Sequence, residues 1–220
     1  MPSPSYHHGN LRQALLEQAL QHLVDAGPEK LSLRALARDV GVSQTAPYRH
    51  FADKNALLAS LAAEGYRRLT EATHEEARRQ RDPLARLYGS GLAYIRFARQ
   101  NAELYKLMFG PLVEKPENYA ELTDAGSESF QSIMALVIGA SAAGLLVDEP
   151  PILLAMSVWS GVHGIASLWI DGLYGCVHSG LTDDRVVEGA LRTVHRGLLN
   201  AEGLKRFTNL PQMGDGIVRQ

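Results

Sequence analysis

The stretch LSLRALARDVGVSQTAPYRHFADKNALL, Leu31 to Leu58, decides how this chain is read. Ser32 stands where a helix N-cap is wanted, and Leu33, Leu36, Ala37 and Val40 follow at the spacing of one buried helix face. Gly41 then supplies a turn. A second, shorter helix is predicted from Gln44 to about Phe51, and Asp53 is placed to cap a long helix that begins near Lys54. Two helices joined by a tight glycine turn make a helix-turn-helix, whose second helix enters the major groove of DNA with its N-terminal residues against base edges. Pro47 falls inside that second helix. In a first turn its missing N–H costs little, because the first N–H groups of a helix have no partner within it. If Ser43 is the cap, one bond to the Ser43 carbonyl is lost and the helix starts irregularly.

The N-terminal end of the second helix presents Ser43, Gln44 and Thr45, with Ala46 next. Glutamine can bond adenine through two hydrogen bonds, hydroxyls can reach several acceptors, and a methyl group can pack on thymine. Tyr48, Arg49 and His50 follow, and Lys54 opens the next helix. Hydroxyls and cations of this kind hold phosphates and fix register without reading sequence.

In these residues the chain resembles the tetracycline-repressor (TetR) family of bacterial transcription regulators. Ser32, Leu36-Ala37, Gly41-Val42-Ser43, Tyr48, His50-Phe51 and Lys54 match the family pattern, and Pro47 departs from its usual aliphatic residue. The N-terminal YHHGNLR also looks like this family, and His7 and His8 read as an exposed arm near phosphate rather than a metal site. The resemblance implies that Ser32, Tyr48, His50 and Lys54 hold phosphates, and that Arg34, Gln44 and Thr45 are placed to read bases. It implies an all-α chain: a DNA-binding domain over 1–54, an effector-binding and dimerisation domain over 55–202, and a tail over 203–220. It implies a repressor released from a pseudo-palindromic, double-stranded operator by a small molecule, and a homodimer formed through the last two helices of the body. The alternative is a helix-turn-helix regulator whose body binds a protein partner instead.

Outward from the motif, helical periodicity dominates. One helix is predicted from about Asn10 to Ala26, with Gln13 completing a capping box and Leu16, Ala19, Leu20, Leu23 and Val24 on its apolar face. The helix from Lys54 ends in a polar stretch that reads as solvated. Asp82-Pro83 restarts the chain as cap and first helical position. Further helices are expected over 83–99, 102–109, 118–143, 152–172 and 182–200, nine in all, and the tail shows no clear period.

Formal net charge is -2, and residues 1–54 hold six Lys/Arg against five Asp/Glu, so bulk charge argues for no partner. The single cysteine, Cys176, rules out an intramolecular disulfide, and the N-terminus lacks the apolar run of a secretory signal, so a cytoplasmic location is expected. Ile152 to Ile170 carries no formal charge and has the length of a membrane span. Its serines, His163 and two glycines make it an interface helix instead, with small residues that let backbones approach. The expected dimer packs this helix and the one over 182–200 into a four-helix bundle.

Effector pockets are mostly apolar with a few polar anchors, and Tyr94, Phe97, Tyr105, Met108, Phe130, Met134, Trp159 and His163 are the candidates to line one. An effector that is largely apolar follows. WSGVHG, with Trp159, His163 and Gly164, resembles a Trp-His-Gly signature of one TetR subgroup. No enzyme, cofactor or metal is expected: GASAAG lacks the second glycine of G-x-S-x-G, and His74-Glu75 lacks the second histidine of a zinc helix.

Overall fold

Every regular element in residues 11–176 and 182–210, the part that the computed structural model describes, is helical. Nine α-helices occur among the described residues: α1 Leu11–Ala26, α2 Leu33–Val40, α3 Lys54–Arg79, α4 Pro83–Gln100, α5 Ala102–Phe109, α6 Ala120–Ala142, α7 Pro151–Ile170, α8 Asp183–Arg196 and α9 Ala201–Thr208. Short 3-10 turns lie at Pro28–Lys30, Ala46–Arg49, Pro116–Asn118 and Leu173–Cys176. The chain up to Tyr66 together with Glu103–Gly126 makes one compact unit. Arg67–Ala102 together with the chain from Ser127 onward makes another. The histidines at 7 and 8, and the expected cap at Asn10, lie outside the described residues.

The nine helices are not the expected nine. The segment predicted as a helix from Gln44 to Phe51 is a turn at Gln44 and Thr45 followed by the 3-10 turn Ala46–Arg49. Pro47 is the physical reason. The first α-helical bond to the Ser43 carbonyl would come from the N–H of residue 47, and proline has none. The Ala46 N–H takes that carbonyl instead, at 3.0 Å, which winds the chain one residue tighter. Only at Phe51, whose N–H reaches the Pro47 carbonyl at 3.0 Å, does a four-residue step reappear.

The ninth helix comes from the tail. Residues 203–208, expected to lack a period, belong to α9. Its start is set by Asn200, whose side-chain oxygen accepts from the Gly203 N–H at 2.9 Å. The Asn200 amide also donates to the Gly144 and Leu146 carbonyls, both at 2.9 Å. One short polar residue therefore caps α9 and ties it to the loop after α6. Gly203 lies so close to that loop that a Cβ there would stand 2.0 Å from the Leu145 carbonyl oxygen.

In the first unit α1 buries Leu15, Leu16, Ala19 and Leu23. Val24, expected on that face, is 65 % exposed, and Leu15 takes its share. The two differ by nine residues, about 180° at 3.6 residues per turn, so one enters the core as the other leaves it. α2 buries Leu33, Leu36 and Ala37 against α1, and Gly41 closes it in the left-handed conformation (φ 78°) that glycine adopts without strain. Asp53 caps α3 through the Ala56 N–H at 2.8 Å.

In the second unit α4 is buried on most sides and packs against α7, α8 and α9. Asp82 accepts from the Leu84 and Ala85 N–H groups at 2.9 and 3.1 Å, and Pro83 opens the helix. The end of α3, expected to be solvated, still buries Thr73 and Ala77. α7 is long and apolar enough to cross a membrane by length and composition alone. One of its faces, with Leu154, Val158, Val162 and Ile165, is packed; Ile152, Leu153, Met156 and Leu168 are exposed.

Candidate nucleic-acid interface

The segment from Ser32 to Lys54 separates its side chains by polarity. Leu33, Leu36, Ala37, Pro47 and Phe51 are buried, whereas Ser32, Arg34, Ser43, Gln44, Thr45, Tyr48, Arg49 and His50 are exposed. The buried set positions the exposed one. Phe51 is 1 % exposed and has the Arg12 guanidinium 5.6 Å above its ring, so the end of the 3-10 turn is held from α1. Pro47 is buried where the 3-10 turn packs against α1 and α2, which leaves Tyr48, Arg49 and His50 facing solvent.

The polar groups differ in how engaged they already are. Ser32 stands at the N-cap of α2, yet its hydroxyl makes no capping bond. The Ser43 and Thr45 hydroxyls lie 3.2 Å apart. Lys54 is half-buried and donates to the Glu29 carbonyl at 3.0 Å, using one of its three N–H groups and leaving two for an anion. Tyr48 is 48 % exposed, an amphipathic side chain with its hydroxyl available at the surface.

Two residues that matter for this surface were not legible in the sequence. Arg12 donates to Ser60 and to Glu121, at 3.1 and 2.5 Å, joining α1 to α3 and α6. The Asn55 side chain makes a paired hydrogen bond with the backbone of Glu114, 2.9 Å in each direction, and also donates to the Tyr119 hydroxyl at 2.8 Å. The partners lie 48 to 109 residues away, so no local spacing announces them.

The eight candidate effector residues do not fall together. Tyr105 and Met108 belong to the first unit, and the other six to the second. In the second unit Tyr94, Phe130, Trp159 and His163 form one cluster. The Tyr94 hydroxyl lies 3.3 Å from His163 Nδ1, and the Trp159 ring is 6.0 Å from Phe130 and 6.1 Å from His163. Burial lowers the pKa of His163, which favours the neutral ring. The adjoining cavity, lined by Tyr94, Val158 and Trp159 among others, has about 20 Å³, space for roughly one water. In the first unit a groove of about 350 Å³, open to solvent along Gly110, Pro116 and Thr123, is lined by Tyr66, Met108, Phe109, Val113, Leu122 and Gly126 with their neighbours. Phe97 and Met134 line neither cavity.

Comparison with known proteins places both halves of the chain. Residues 15–61 match the family described as bacterial regulatory proteins, tetR family, and residues 87–194 match the tetracyclin repressor-like C-terminal domain. Over 51 residues the chain is 49 % identical to the tetracycline repressor protein class C of Escherichia coli, a match that spans 23 % of each protein. A solved structure of a protein with unknown function from Rhodococcus sp. RHA1 is 36 % identical, covers 90 % of this chain and 100 % of its own, and superposes with a TM-score of 0.77. The TetR family transcriptional regulator PfmR from Thermus thermophilus shares the fold at 20 % identity, with a TM-score of 0.61 over 84 % of this chain and 99 % of its own.

Proposed function

Because the chain belongs to the TetR family of bacterial regulatory proteins, and is a DNA-binding transcriptional regulator of the repressor type rather than an enzyme, we propose that a small molecule releases it from a pseudo-palindromic operator. The observation that carries the DNA-reading part is the polarity split between Ser32 and Lys54. Gln44, Thr45 and Arg34 read bases in the major groove. Ser32, Ser43, Tyr48, Arg49, His50 and Lys54 hold the phosphates on either side. The DNA-reading part then ends at about residue 54, with the effector and dimerisation body over 55–202.

The protein acts as a homodimer through α7 and α8. Supporting this is the exposed apolar row on α7, where Ile152, Leu153, Met156 and Leu168 are each more than 40 % exposed. A soluble chain gains by covering such a row with a second copy of itself. A dimer presents two copies of the recognition turn, and a two-fold operator matches it. The protein works in the cytoplasm, where its DNA is.

Selection of bound fragments from genomic DNA at physiological salt tests this reading. A set of fragments sharing a two-fold repeat is the expected outcome. No preference for any duplex overturns it. Effector and operator must also weaken each other's binding equally, because coupling between two sites is reciprocal.

A further inference from the structure

We infer that Thr45 reads a thymine through the 5-methyl group of that base, with its own methyl group in contact, because Ser43 engages the Thr45 hydroxyl. This role deepens the DNA-reading surface proposed above and rests on that reading.

Gln44 and Thr45 stand at the tip of a tight turn rather than on a helix. The Ala46 N–H reaches the Ser43 carbonyl at 3.0 Å and closes the turn around them. Thr45, at φ -91° and ψ -17°, has the backbone of the third residue of a type I turn, and serine is favoured at the first position, where Ser43 stands. Pro47 keeps the turn from opening into an α-helix, since it has no N–H to compete for the Ser43 carbonyl. Ser43, Gln44 and Thr45 are all exposed, so the protein core does not decide where their side chains point. The turn does, together with the bond between Ser43 and Thr45.

The Ser43 and Thr45 hydroxyls lie 3.2 Å apart, and either can be the donor. Thr45 precedes the 3-10 turn Ala46–Arg49, yet its side chain does not cap that turn, which leaves its hydroxyl to Ser43. Each hydroxyl has a single proton. Phosphate oxygens only accept, so Ser43 holds a phosphate by donating its own proton. The bond between the two residues then takes the proton of Thr45. On DNA, Thr45 therefore has no proton left for an acceptor on a base edge.

What Thr45 keeps is its methyl group. Threonine is stiff about χ1, and its Oγ1 and Cγ2 occupy staggered positions about 120° apart. Fixing Oγ1 on Ser43 thus fixes the methyl group on another side of Cβ. In the major groove the 5-methyl of thymine is the apolar group displayed among the base edges, and a threonine methyl packs on it. Gln44, beside Thr45 at the tip, retains its amide for hydrogen-bonded reading of the neighbouring base.

The test uses the full-length protein and the selected DNA fragments, with each thymine of a half-site replaced in turn by deoxyuridine, which lacks only the 5-methyl group. Wild-type protein should show a thymine in each half-site at which deoxyuridine weakens binding about fourfold, the worth of one buried methyl group. Thr45→Val keeps a methyl group in that place and should show the same penalty. Thr45→Ser keeps only the hydroxyl and should bind thymine and deoxyuridine alike at that position. Ser43→Ala frees the Thr45 hydroxyl, so the penalty should fall below about twofold, and the salt slope should drop by about one contact. Absence of the penalty in the wild type, or its survival in Thr45→Ser, overturns the methyl contact. Its loss in Thr45→Val would mean that the hydroxyl does the reading, which overturns the contact as well. A full penalty in Ser43→Ala overturns the positioning by Ser43. Selected fragments without any penalty leave the regulator reading standing, whereas a protein that selects no fragments breaks that reading and this role with it.

Discussion

Phe51 and Phe207 are each 1 % exposed, and each lies under an arginine: Arg12 is 5.6 Å from the ring of Phe51, and Arg192 is 5.0 Å from the ring of Phe207. Phe51 follows the 3-10 turn Ala46–Arg49 in the first unit. Phe207 ends α9 in the second, stacked on His195 at 6.2 Å and edge-on to Tyr88 at 5.4 Å. The packing solution is the same, but the two regions differ in how their anchors are specified. Around Phe51 the cap, glycine turn and apolar spacing all lie within a few residues. Around Phe207 the partners come from α4 and α8, and the short helix that carries it depends on one asparagine and one glycine. The lesson is that an anchor's burial and its legibility are independent.

The largest effect should come from removing either anchor. Phe51→Ala and Phe207→Ala should each cost about 3–5 kcal/mol in urea unfolding, the range for a large aromatic side chain deleted from a core. The comparison sharpens if Phe51→Ala also removes DNA binding in the folded fraction while Phe207→Ala retains it. A Phe207→Ala loss below about 1 kcal/mol would mean that α9 is only loosely docked.

Gly203→Ala comes next. Its methyl group would meet a backbone carbonyl that cannot swing aside, so about 1–3 kcal/mol of overpacking loss is expected by thermal denaturation. On the DNA side, Gln44→Ala should lose about 1–3 kcal/mol at its preferred base and relax choice there, measured by competition among operator variants. Lys54→Ala should weaken all duplexes alike and reduce the salt slope by about one contact. An effect of Gln44→Ala on non-specific DNA alone would remove it from the base-reading set.

A smaller, pH-dependent effect separates the two regions. His195 is buried, donates from Nδ1 to the Leu191 carbonyl at 2.9 Å, and has its pKa lowered by that burial. The neutral ring is the folded form, and the unfolded chain takes up the proton first as pH falls below the ordinary value of 6.5. The contribution of His195 is therefore complete above that value and is lost as pH falls from it toward the lower folded pKa. Melting temperature should decline over that window, and His195→Gln should flatten the decline. Pro47→Leu should change least. Its restored N–H can reach the Ser43 carbonyl and lengthen the recognition turn toward an α-helix, with DNA affinity held within a fewfold.

Much of the fold can be read in the sequence where structure is local. Asp82-Pro83, Asp53 and Gly41 act over one turn of chain, and each sits in the structure where its chemistry requires. Pro47 could be read halfway: the lost bond to Ser43 was foreseeable, but not that Ala46 would take the carbonyl and turn the helix into a 3-10 turn. The candidate effector residues have only their side-chain type in common. Side-chain type cannot tell which aromatic residues meet across the fold, as Trp159 meets Phe130 and Tyr66 meets Phe109.

The sequence by itself determined eight of the helices, the family and the exposed polar residues between Ser32 and His50, because caps, turn glycines and 3.6-residue periodicity are effects of near neighbours. Tertiary structure alone decided that α9 exists, that Asn55 and Arg12 tie α3 and α1 to α6 and the segment before it, and that an open groove lies beside Tyr66. Those outcomes join residues tens of positions apart, and only the packed core brings such residues within a few ångströms.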